Sequence, residues 1–407
     1  MTGPTAADVA APDPPQLHPP AGLELPGTRR PLRGLLPDVA RSLGAVLPDL
    51  PGAGLDLPAG ERAVVVLVDG LGAEALTARA GHAPVLRGML ADAAAAGEPH
   101  ASAGYPSTTA ASLGSFGTGR SPGETGLLGY SLRCPDAAAL GLPPADQLVN
   151  LVSWTAGPGA PVPDARTWQP LPTVFERFEG ASTAIGKSKF AGSGLTTAAL
   201  RGATFVPADR WDDAVEATLT ALRRPGLVYL YWGALDAVGH QRGWAAPEWG
   251  EELAALDAGL RTLLRRAPRG TTVLVTADHG MVDVTERLDV AETPALREQV
   301  VLVAGEPRAL HVHLEPGAAI GAARERWAEA LGERAWVLTG ADAAAGGLFG
   351  PVADRNRALI GDLVVALTGT TAVVDSRSQS AASLRLVGMH GSLTTAELAV
   401  PALVTRT

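Results

Sequence analysis

Six Asp and His residues, spread over four stretches of the chain, have the residue types and the spacings of metal ligands. Asp236 and His240 are four residues apart, and Asp278 and His279 are neighbours. Residues four apart on a helix lie on the same face, so the first pair can reach one ion. Carboxylate and imidazole ligands together suit zinc. The complete candidate set is Asp69, Asp236, His240, Asp278, His279 and His390.

Two adjacent threonines, Thr108 and Thr109, follow Pro106 in a stretch whose composition predicts the start of a helix. A hydroxyl group at this position lies at the positive end of the helix dipole. A metal ion nearby would lower the pKa of the hydroxyl and make it a nucleophile at neutral pH. A threonine here is equally suited to cap the helix, and the chemistry of the residues alone leaves the choice between the two open.

Each candidate ligand also has a structural interpretation. Asp69 and Asp236 are suited to cap helices, His240 to lie on the surface, Asp278 and His279 to form an ordinary turn after a strand, and His390, between glycines, to lie in a surface loop. Each metal interpretation is weak alone and gains support because the candidates occur together. Two of them also follow apolar runs: Val-Val-Val-Leu-Val ends in Asp69, and another such run precedes Asp278. Buried parallel strands present functional residues at the carboxyl edge of a sheet in this way.

Strand and helix patterns alternate along the chain and predict the elements that position these residues. They favour an α/β fold in three layers, with a mostly parallel central sheet and helices on both faces. Strands are predicted at 62–68, 182–186, 227–232, 271–277, 299–303, 309–314 and 370–374. Helices are predicted at 36–47, at 73–96 with interruptions at Gly81 and Pro84, and at 173–178, 211–224, 247–266 and 319–332.

Composition predicts how the chain is organised. Residues 1–30 are rich in proline and predict a disordered tail, and we expect 31–407 to form the catalytic domain. Within that domain, the irregular region of about 131–210 predicts a cap-like elaboration over the active-site edge, which is part cap and part core. His311 and His313 alternate with aliphatic residues, which predicts a half-exposed strand face and not a metal site.

Charge and cysteine content exclude several classes of protein. A net charge of −9 leaves no basic surface for a nucleic-acid polymer, although metal ions can still attract phosphate. The one cysteine, Cys134, excludes an internal disulfide and a cysteine-based zinc cluster. No apolar run reaches the roughly 18 residues of a membrane span, and residues 1–20 lack the pattern of a signal peptide. We therefore expect a cytoplasmic protein without a membrane partner; the sequence does not indicate its oligomeric state.

The motifs resemble those of the alkaline phosphatase superfamily, and most closely its type I phosphodiesterase/nucleotide pyrophosphatase branch. One such match would mean little, whereas five in the order that the family uses are specific. They extend over about 60 to 404 and are Val68-Asp69-Gly70, Pro106-Ser107-Thr108-Thr109 with Gly117-Thr118-Gly119, Asp236-x-x-Gly239-His240-x-x-Gly243, Ala277-Asp278-His279-Gly280-Met281 and Met389-His390-Gly391.

The resemblance implies a cofactor and a nucleophile. The cofactor would be two zinc ions, with manganese or iron as alternatives. The six ligands would divide into two sets, Asp236, His240 and His390 for one ion and Asp69, Asp278 and His279 for the other. The family places its nucleophile ten residues before the glycine of a Thr-Gly pair. Counting back from Gly119 selects Thr109, with Thr108 as the fallback.

The activity that the resemblance implies is hydrolysis of a phosphodiester or pyrophosphate bond through a phosphothreonine intermediate. The substrate would be a small phosphorylated molecule such as a nucleotide. A phosphonate hydrolase or a phosphomonoesterase of the same superfamily is the alternative within hydrolases. A non-catalytic, metal-dependent binding protein is the alternative from a different class.

The chain departs from the family at one contact to the substrate. The family has an asparagine after the Thr-Gly pair that contacts a non-bridging phosphate oxygen, whereas 126–131 contains none. Tyr130 or backbone N–H groups are candidate substitutes. Lys187 and Lys189 are candidates to bind a terminal phosphate or carboxylate, because a related branch that hydrolyses phosphonoacetate uses cap lysines in this manner. A solvated turn is the structural alternative for the two lysines.

Overall fold

The structure is a computed structural model that describes residues 15–27, 29–97 and 99–407. Its strands are β1 (Arg30–Pro31), β2 (Arg62–Val68), β3 (His100–Ser102), β4 (Ser131–Arg133), β5 (Leu148–Asn150), β6 (Thr155–Ala156), β7 (Ser182–Gly186), β8 (Thr204–Pro207), β9 (Gly226–Trp232), β10 (Thr272–Thr276), β11 (Val282–Asp283), β12 (Glu286–Asp289), β13 (Val300–Glu306), β14 (Ala309–Leu314), β15 (Ala335–Thr339), β16 (Leu363–Leu367), β17 (Thr371–Val374), β18 (Gly388–Met389) and β19 (Ala399–Arg406).

The α-helices of the same residues alternate with these strands. They are α1 (Leu35–Ser42), α2 (Ala73–Ala78), α3 (Pro84–Ala96), α4 (Thr109–Thr118), α5 (Pro122–Thr125), α6 (Pro135–Ala139), α7 (Ala165–Trp168), α8 (Val174–Arg177), α9 (Gly194–Leu200), α10 (Trp211–Ala221), α11 (Ala234–Arg242), α12 (Pro247–Arg266), α13 (Pro294–Arg297), α14 (Ile320–Leu331), α15 (Gly340–Ala345) and α16 (Thr395–Leu398).

The central sheet has eight strands in the order β1-β3-β19-β10-β2-β9-β7-β8. Neighbouring strands pair in parallel, except that β19 runs antiparallel to both β3 and β10. The side chains of 64–68 in β2 are fully buried, as expected for a strand with both faces covered. The prediction of a mostly parallel central sheet is confirmed.

Aromatic contacts on β9 show that helices cover both faces of this sheet. Tyr229 packs on Phe116 of α4, with ring centroids 5.6 Å apart. Trp232 packs on Trp211 of α10, with ring centroids 5.2 Å apart. Because successive side chains of a strand point to opposite faces, residues three apart lie on different faces. The helices α4 and α10 therefore cover opposite faces, and the three-layer prediction is confirmed.

Most predicted elements are present, with ends shifted by a few residues. Helix α12 and strand β14 have the predicted bounds. The helix predicted at 36–47 ends at Ser42, close to Gly44, whose φ of 93° is typical of a helix end. The predicted helix at 73–96 is divided, and its second part begins with Pro84, which suits the first position of a helix.

The region 131–210 contributes to two different sheets. An antiparallel sheet of β4, β5 and β6 lies in the first part of that region. The last part contributes β7 and β8 to the central sheet instead.

The Pro-rich tail differs from the prediction where the structure describes it. Residues 15–27 contain no helix or strand, but Leu17 and Leu23 are buried against the main core. The prediction of a disordered tail is therefore wrong for this segment, and 1–14 lies outside the described residues. Among the residues that the structure describes, no helix combines the length and hydrophobicity that crossing a membrane requires.

A second sheet, β13-β14-β16-β15, is antiparallel throughout, and both of its faces are covered by other parts of the protein. One face forms a separate core with Trp327 of α14, and the other, which includes Ala309 and Val364, joins the main core. His311 and His313 on β14 are consequently only 2% and 5% exposed. The prediction of a half-exposed face is wrong, because the polar side of the strand faces protein and not solvent.

Candidate active site

Three adjacent strands of the central sheet bring the candidate ligands to one edge. Asp69 directly follows β2, and Asp278 and His279 come just after β10. Asp236 lies in the first turn of α11, which follows β9. Because β10, β2 and β9 are parallel neighbours, their carboxyl ends meet at the same edge.

The ends of β2 and β9 approach so closely that a glycine is required between them. Gly70 has a φ of 72°, which L-residues with a side chain rarely adopt. A Cβ atom on Gly70 would lie 3.1 Å from Cα of Asp236. The glycine that follows Asp69 in the sequence therefore permits the two aspartates to share one site.

Two loops that pair with each other deliver His390 and Thr109. Ser107 forms an isolated antiparallel bridge with Gly391, and its N–H donates to the Gly391 carbonyl at 2.9 Å. Thr109 is the first residue of α4, and Thr108 occupies the N-cap position. Thr109 Oγ1 lies 3.1 Å from His279 Nε2. The candidate nucleophile is thus in direct contact with a candidate ligand.

All three histidines of the cluster have one ring nitrogen next to a backbone carbonyl. The distances from Nδ1 to the carbonyl oxygen are 2.7 Å for His240 and Gly388, 3.0 Å for His279 and Gly280, and 3.0 Å for His390 and Ser107. Since a carbonyl only accepts, the proton lies on Nδ1 and the Nε2 lone pair remains for an ion.

Each of the three aspartates has one buried oxygen without a hydrogen-bond partner among the described residues. These atoms are Asp69 Oδ1, Asp236 Oδ1 and Asp278 Oδ2. The other oxygen of Asp69 accepts from Tyr231 Oη, and that of Asp278 accepts from the N–H of Gly70 at 3.2 Å. Buried carboxylate oxygens without a partner are costly, and a metal ion supplies what they lack.

The unpartnered oxygens lie next to the free imidazole nitrogens. The Nε2 to Oδ1 distance is 3.3 Å between His240 and Asp236, and 3.9 Å between His390 and Asp236. His279 Nε2 lies 3.4 Å from Asp69 Oδ1 and 3.6 Å from Asp278 Oδ2. All six predicted ligands therefore lie together. We call this set the ligand cluster: Asp69, Asp236, His240, Asp278, His279 and His390.

Two groups of three ligand atoms have spacings within 4.8 Å, one of Asp69, Asp278 and His279 and the other of Asp236, His279 and His390. The second group contains His279 where the resemblance implies His240. His240 is nevertheless a direct neighbour of Asp236 in the cluster. This set of oxygen and nitrogen donors fits zinc ions.

Burial controls the protonation of the cluster. Burial, with a contribution from Asp278, raises the pKa of Asp69 to about 7, and burial raises the pKa of Asp278 to about 6. Burial raises the pKa of Asp236 well above its ordinary value. Burial lowers the pKa of His279, which is therefore uncharged at neutral pH. A bound cation would stabilise the ionised carboxylates, so the cluster is electrostatically suited to metal ions.

A cavity of about 680 Å³ opens onto the ligand cluster, and its wall contains the predicted substrate contacts Tyr130, Lys187 and Lys189. Tyr130 is 45% exposed at the cavity. Lys187 is half-buried, with Nζ 5.3 Å from the ring centroid of Trp232. A cavity of this size accommodates a small phosphorylated molecule.

Sequence reasoning missed two polar residues of this site. Tyr231 donates to Asp69, and its position near the end of β9 was a usable signal. Glu306 is buried in the cavity wall, and burial raises its pKa to about 8. No sequence signal indicates Glu306, because its position depends on how β13 packs against the residues after α5.

The fold is that of the alkaline phosphatase superfamily. Within it, the chain belongs to the type I phosphodiesterase/nucleotide pyrophosphatase family, whose family model matches residues 63–393. It is therefore a hydrolase of phosphoric esters. A comparison with curated proteins gives no match.

Several solved structures are similar in fold. Phosphonoacetate hydrolase from Sinorhizobium meliloti 1021, in complex with phosphonoformate, is 20% identical with a TM-score of 0.62, over 85% of this chain and 90% of that chain. Murine ectonucleotide pyrophosphatase/phosphodiesterase 5 is 15% identical with a TM-score of 0.59, over 83% of this chain and 87% of that chain. An inactive threonine-to-alanine form of the murine protein in complex with AMP is 14% identical with a TM-score of 0.60, over 84% and 87%.

Proposed function

We propose that this chain hydrolyses phosphodiester or pyrophosphate bonds with two zinc ions and with Thr109 as the nucleophile, through a phosphothreonine intermediate. The observation that supports this most strongly is the position of Thr109 Oγ1, 3.1 Å from His279 Nε2. His279 belongs to both groups of closely spaced ligand atoms. The hydroxyl therefore lies beside the place where both ions would be held.

The six clustered residues would hold the ions in two sets of three, Asp69, Asp278 and His279 for one, and Asp236, His240 and His390 for the other. When bound, the ions would supply positive charge that favours the ionised hydroxyl of Thr109 and offsets the charge of the phosphoryl group. The Tyr231 hydroxyl keeps Asp69 in place by donating to its second oxygen.

The residues of the chain then perform a two-step displacement. Thr109 loses its hydroxyl proton to water in the cavity, and Oγ1 forms a bond to phosphorus. The bond from phosphorus to the leaving oxygen breaks, and the leaving group departs with the electron pair, as a phosphate or as an alkoxide that takes a proton from water to give the alcohol. In the second step a water oxygen bonds to the same phosphorus and releases a proton to the surrounding water. The bond from phosphorus to Thr109 Oγ1 breaks, and Oγ1 takes a proton from water to restore the hydroxyl. The N-terminus of α4 favours negative charge at this position throughout.

The similar structures support a small phosphorylated substrate. Murine ectonucleotide pyrophosphatase/phosphodiesterase 5 binds AMP in its inactive threonine-to-alanine form, and phosphonoacetate hydrolase binds phosphonoformate and phosphonoacetate. In this chain Lys187 and Lys189 line the cavity and would bind an anionic end of the substrate. Tyr130 would contact the part of the substrate nearest to the cavity mouth.

The test is hydrolysis of bis-p-nitrophenyl phosphate and of p-nitrophenyl phosphate by the zinc-loaded protein. We expect the diester to be the better substrate. Thr109→Ala should lower its rate at least about a thousandfold because the nucleophile is lost, and Thr108→Ala by only about tenfold. Thr109→Ser, which keeps the hydroxyl, is the matched control and should retain most of the rate. A preference for the monoester, or a larger loss from Thr108→Ala than from Thr109→Ala, would contradict the proposal.

A further inference from the structure

Two polar side chains in the cavity wall have no hydrogen-bond partner within the part of the chain that the structure describes, and they have no part in the mechanism above. Glu306, the last residue of β13, is 5% exposed, and neither of its carboxyl oxygens has a partner among the described residues. The hydroxyl of Thr108, which is 1% exposed, has none either. A buried polar group without a partner costs about 1–3 kcal/mol. Two such groups in one wall indicate a ligand that would supply the missing bonds.

Both groups lie beside the candidate nucleophile. Thr108, Thr109, Tyr130 and Glu306 line the same cavity. The chain around Tyr130 runs along the end of β13, where Ser131 Oγ donates to the carbonyl that precedes Glu306 at 2.9 Å. This places the Glu306 carboxyl between the residue that precedes the nucleophile and the segment that lacks the asparagine of the family.

The loop that carries His390 closes the other side of Glu306. Gly391 follows that histidine and has a φ of 129°. A Cβ atom on Gly391 would come within 2.5 Å of Glu306 Cγ. Glu306 thus packs between the nucleophile helix and a loop of the ligand cluster, and it fills the space that the glycine leaves.

The charge state of Glu306 suits a phosphoryl ligand. Burial is the main cause that raises its pKa to about 8, and nearby Glu397 raises it further. The Thr108 hydroxyl and the Tyr130 N–H lie close enough to the carboxyl to lower its pKa, although neither meets the geometry of a hydrogen bond to it. The nearby Arg308 pairs with Glu397 at 2.7 Å. At neutral pH the Glu306 carboxyl is therefore mostly protonated, so it donates a hydrogen bond and does not repel an anion.

We propose that Glu306 and Thr108 form a subsite that binds a non-bridging oxygen of the substrate's phosphoryl group, each donating its O–H. The subsite takes the place of the asparagine that the family resemblance implies and that 126–131 lacks. The inference rests on the proposed function, because it requires a phosphoryl group beside Thr109.

Four variants separate donor from structural roles. Glu306→Gln keeps an N–H donor in nearly the same volume, and Glu306→Ala removes it. Thr108→Ser keeps the hydroxyl, and Thr108→Val removes it. With methyl p-nitrophenyl phosphate and zinc-loaded protein, we expect Glu306→Ala to lower kcat/KM by about 10²–10³-fold, as for other lost donors to a charged oxygen. Glu306→Gln and Thr108→Ser should retain most of the activity, and Thr108→Val should lose about tenfold.

Phosphorothioate analogues identify the atom that is bound. Sulfur is a weak hydrogen-bond acceptor, so the donor contributes little when sulfur occupies the contacted position. Removing the donor should therefore lower kcat/KM much less for that analogue than for the phosphate. We expect Glu306→Ala to lower kcat/KM only slightly for one of the two stereoisomers of methyl p-nitrophenyl phosphorothioate. For the other stereoisomer the decrease in kcat/KM should be as large as for the phosphate. Equal losses on the phosphate and on both stereoisomers would indicate a structural role and would overturn the subsite.

A binding measurement keeps this inference separate from the proposed function. The Kd of inorganic phosphate is measured by calorimetry on the zinc-loaded wild-type protein and on Glu306→Ala, Glu306→Gln and Thr108→Val. We expect at least about tenfold weaker binding for Glu306→Ala and little change for Glu306→Gln, whether or not the wild type hydrolyses diesters. Equal affinity of wild type, Glu306→Ala and Thr108→Val would overturn the subsite even if hydrolysis is observed. Thr108→Val removes an unpartnered group and should not lower Tm. Glu306→Ala leaves a cavity and should lower Tm moderately, and Glu306→Gln, which keeps the volume, controls for this loss of stability.

Discussion

Two groups of buried histidines differ in what lies next to their ring nitrogens. In the ligand cluster, His240, His279 and His390 hold Nδ1 against a backbone carbonyl, and their Nε2 atoms lie 3.3–3.9 Å from aspartate oxygens. On β14, His311 Nε2 donates to the Leu128 carbonyl at 2.9 Å, and its Nδ1 accepts from a backbone N–H at 3.2 Å. In the described residues His311 makes no ion pair with a carboxylate.

The comparison shows that burial alone does not place a histidine nitrogen beside carboxylate oxygens. Burial lowers the pKa in both groups, so both are uncharged at neutral pH. The difference lies in the sheet that carries them. Parallel strands bring several loops, with their carboxylates, to one edge. On the antiparallel sheet, which is packed on both faces, His311 is instead surrounded by backbone groups and the ring of Phe349.

Substitution in the first group should have the largest effect. His279→Ala removes the imidazole that contacts Thr109 Oγ1 and lies near both Asp69 and Asp278. We expect diester hydrolysis to fall at least about a thousandfold, because ligand and nucleophile act as a unit. The amount of zinc bound per chain, measured by mass spectrometry of the metal, should also be lower in this variant.

The matched control is His311→Gln, a substitution of an equally buried histidine in the second group. This variant should keep the zinc content and kcat of the wild type, since no candidate ligand contacts it. If His311→Gln loses zinc or if His279→Ala keeps it, the distinction between the groups is wrong.

A smaller effect should appear in the pH dependence of stability. Burial lowers the pKa of His311 to about 4 and is the largest cause lowering that of His313 to about 3. Between pH 6.5 and 4 the unfolded chain therefore binds protons that the folded protein does not. The stabilisation is present above pH 6.5 and is lost as the pH falls through this window, by on the order of 3 kcal/mol for each histidine.

Urea unfolding at several pH values measures this loss. The double variant His311→Gln and His313→Gln lacks both titrating groups. As the pH falls from 6.5 to 4, the free energy of unfolding of the wild type should therefore decrease relative to that of the double variant. A difference that does not change with pH would show that these histidines titrate normally in the folded protein.

The ligand cluster could be predicted from the sequence because its members follow recognisable strands. Asp69 and Asp278 end apolar runs, and Asp236 and His240 have the spacing of one helix face. Parallel strands then require that their ends meet. The sequence motifs, once they were ordered along the chain, also identified the family.

The parts that could not be predicted depend on packing between distant segments. The alternating pattern around His311 is the same whether its polar side faces solvent or a second layer of protein, and here it faces protein. Glu306 belongs to the site only because β13 lies against the chain near Tyr130. The burial of Leu17 depends likewise on where the tail lies. Leu17 packs so closely on Gly346 that a Cβ atom at Gly346 would lie 2.3 Å from the Leu17 side chain.

In the proposed reaction Thr109 carries the phosphoryl group during turnover. The most direct test is to mix zinc-loaded protein with bis-p-nitrophenyl phosphate, quench with acid during the burst, digest the protein and locate the adduct by mass spectrometry. We expect a phosphoryl ester on Thr109 in the wild type and in Thr108→Ala, and none in Thr109→Ala. An adduct on Thr108, or release of p-nitrophenol with no adduct on either threonine, would contradict the account.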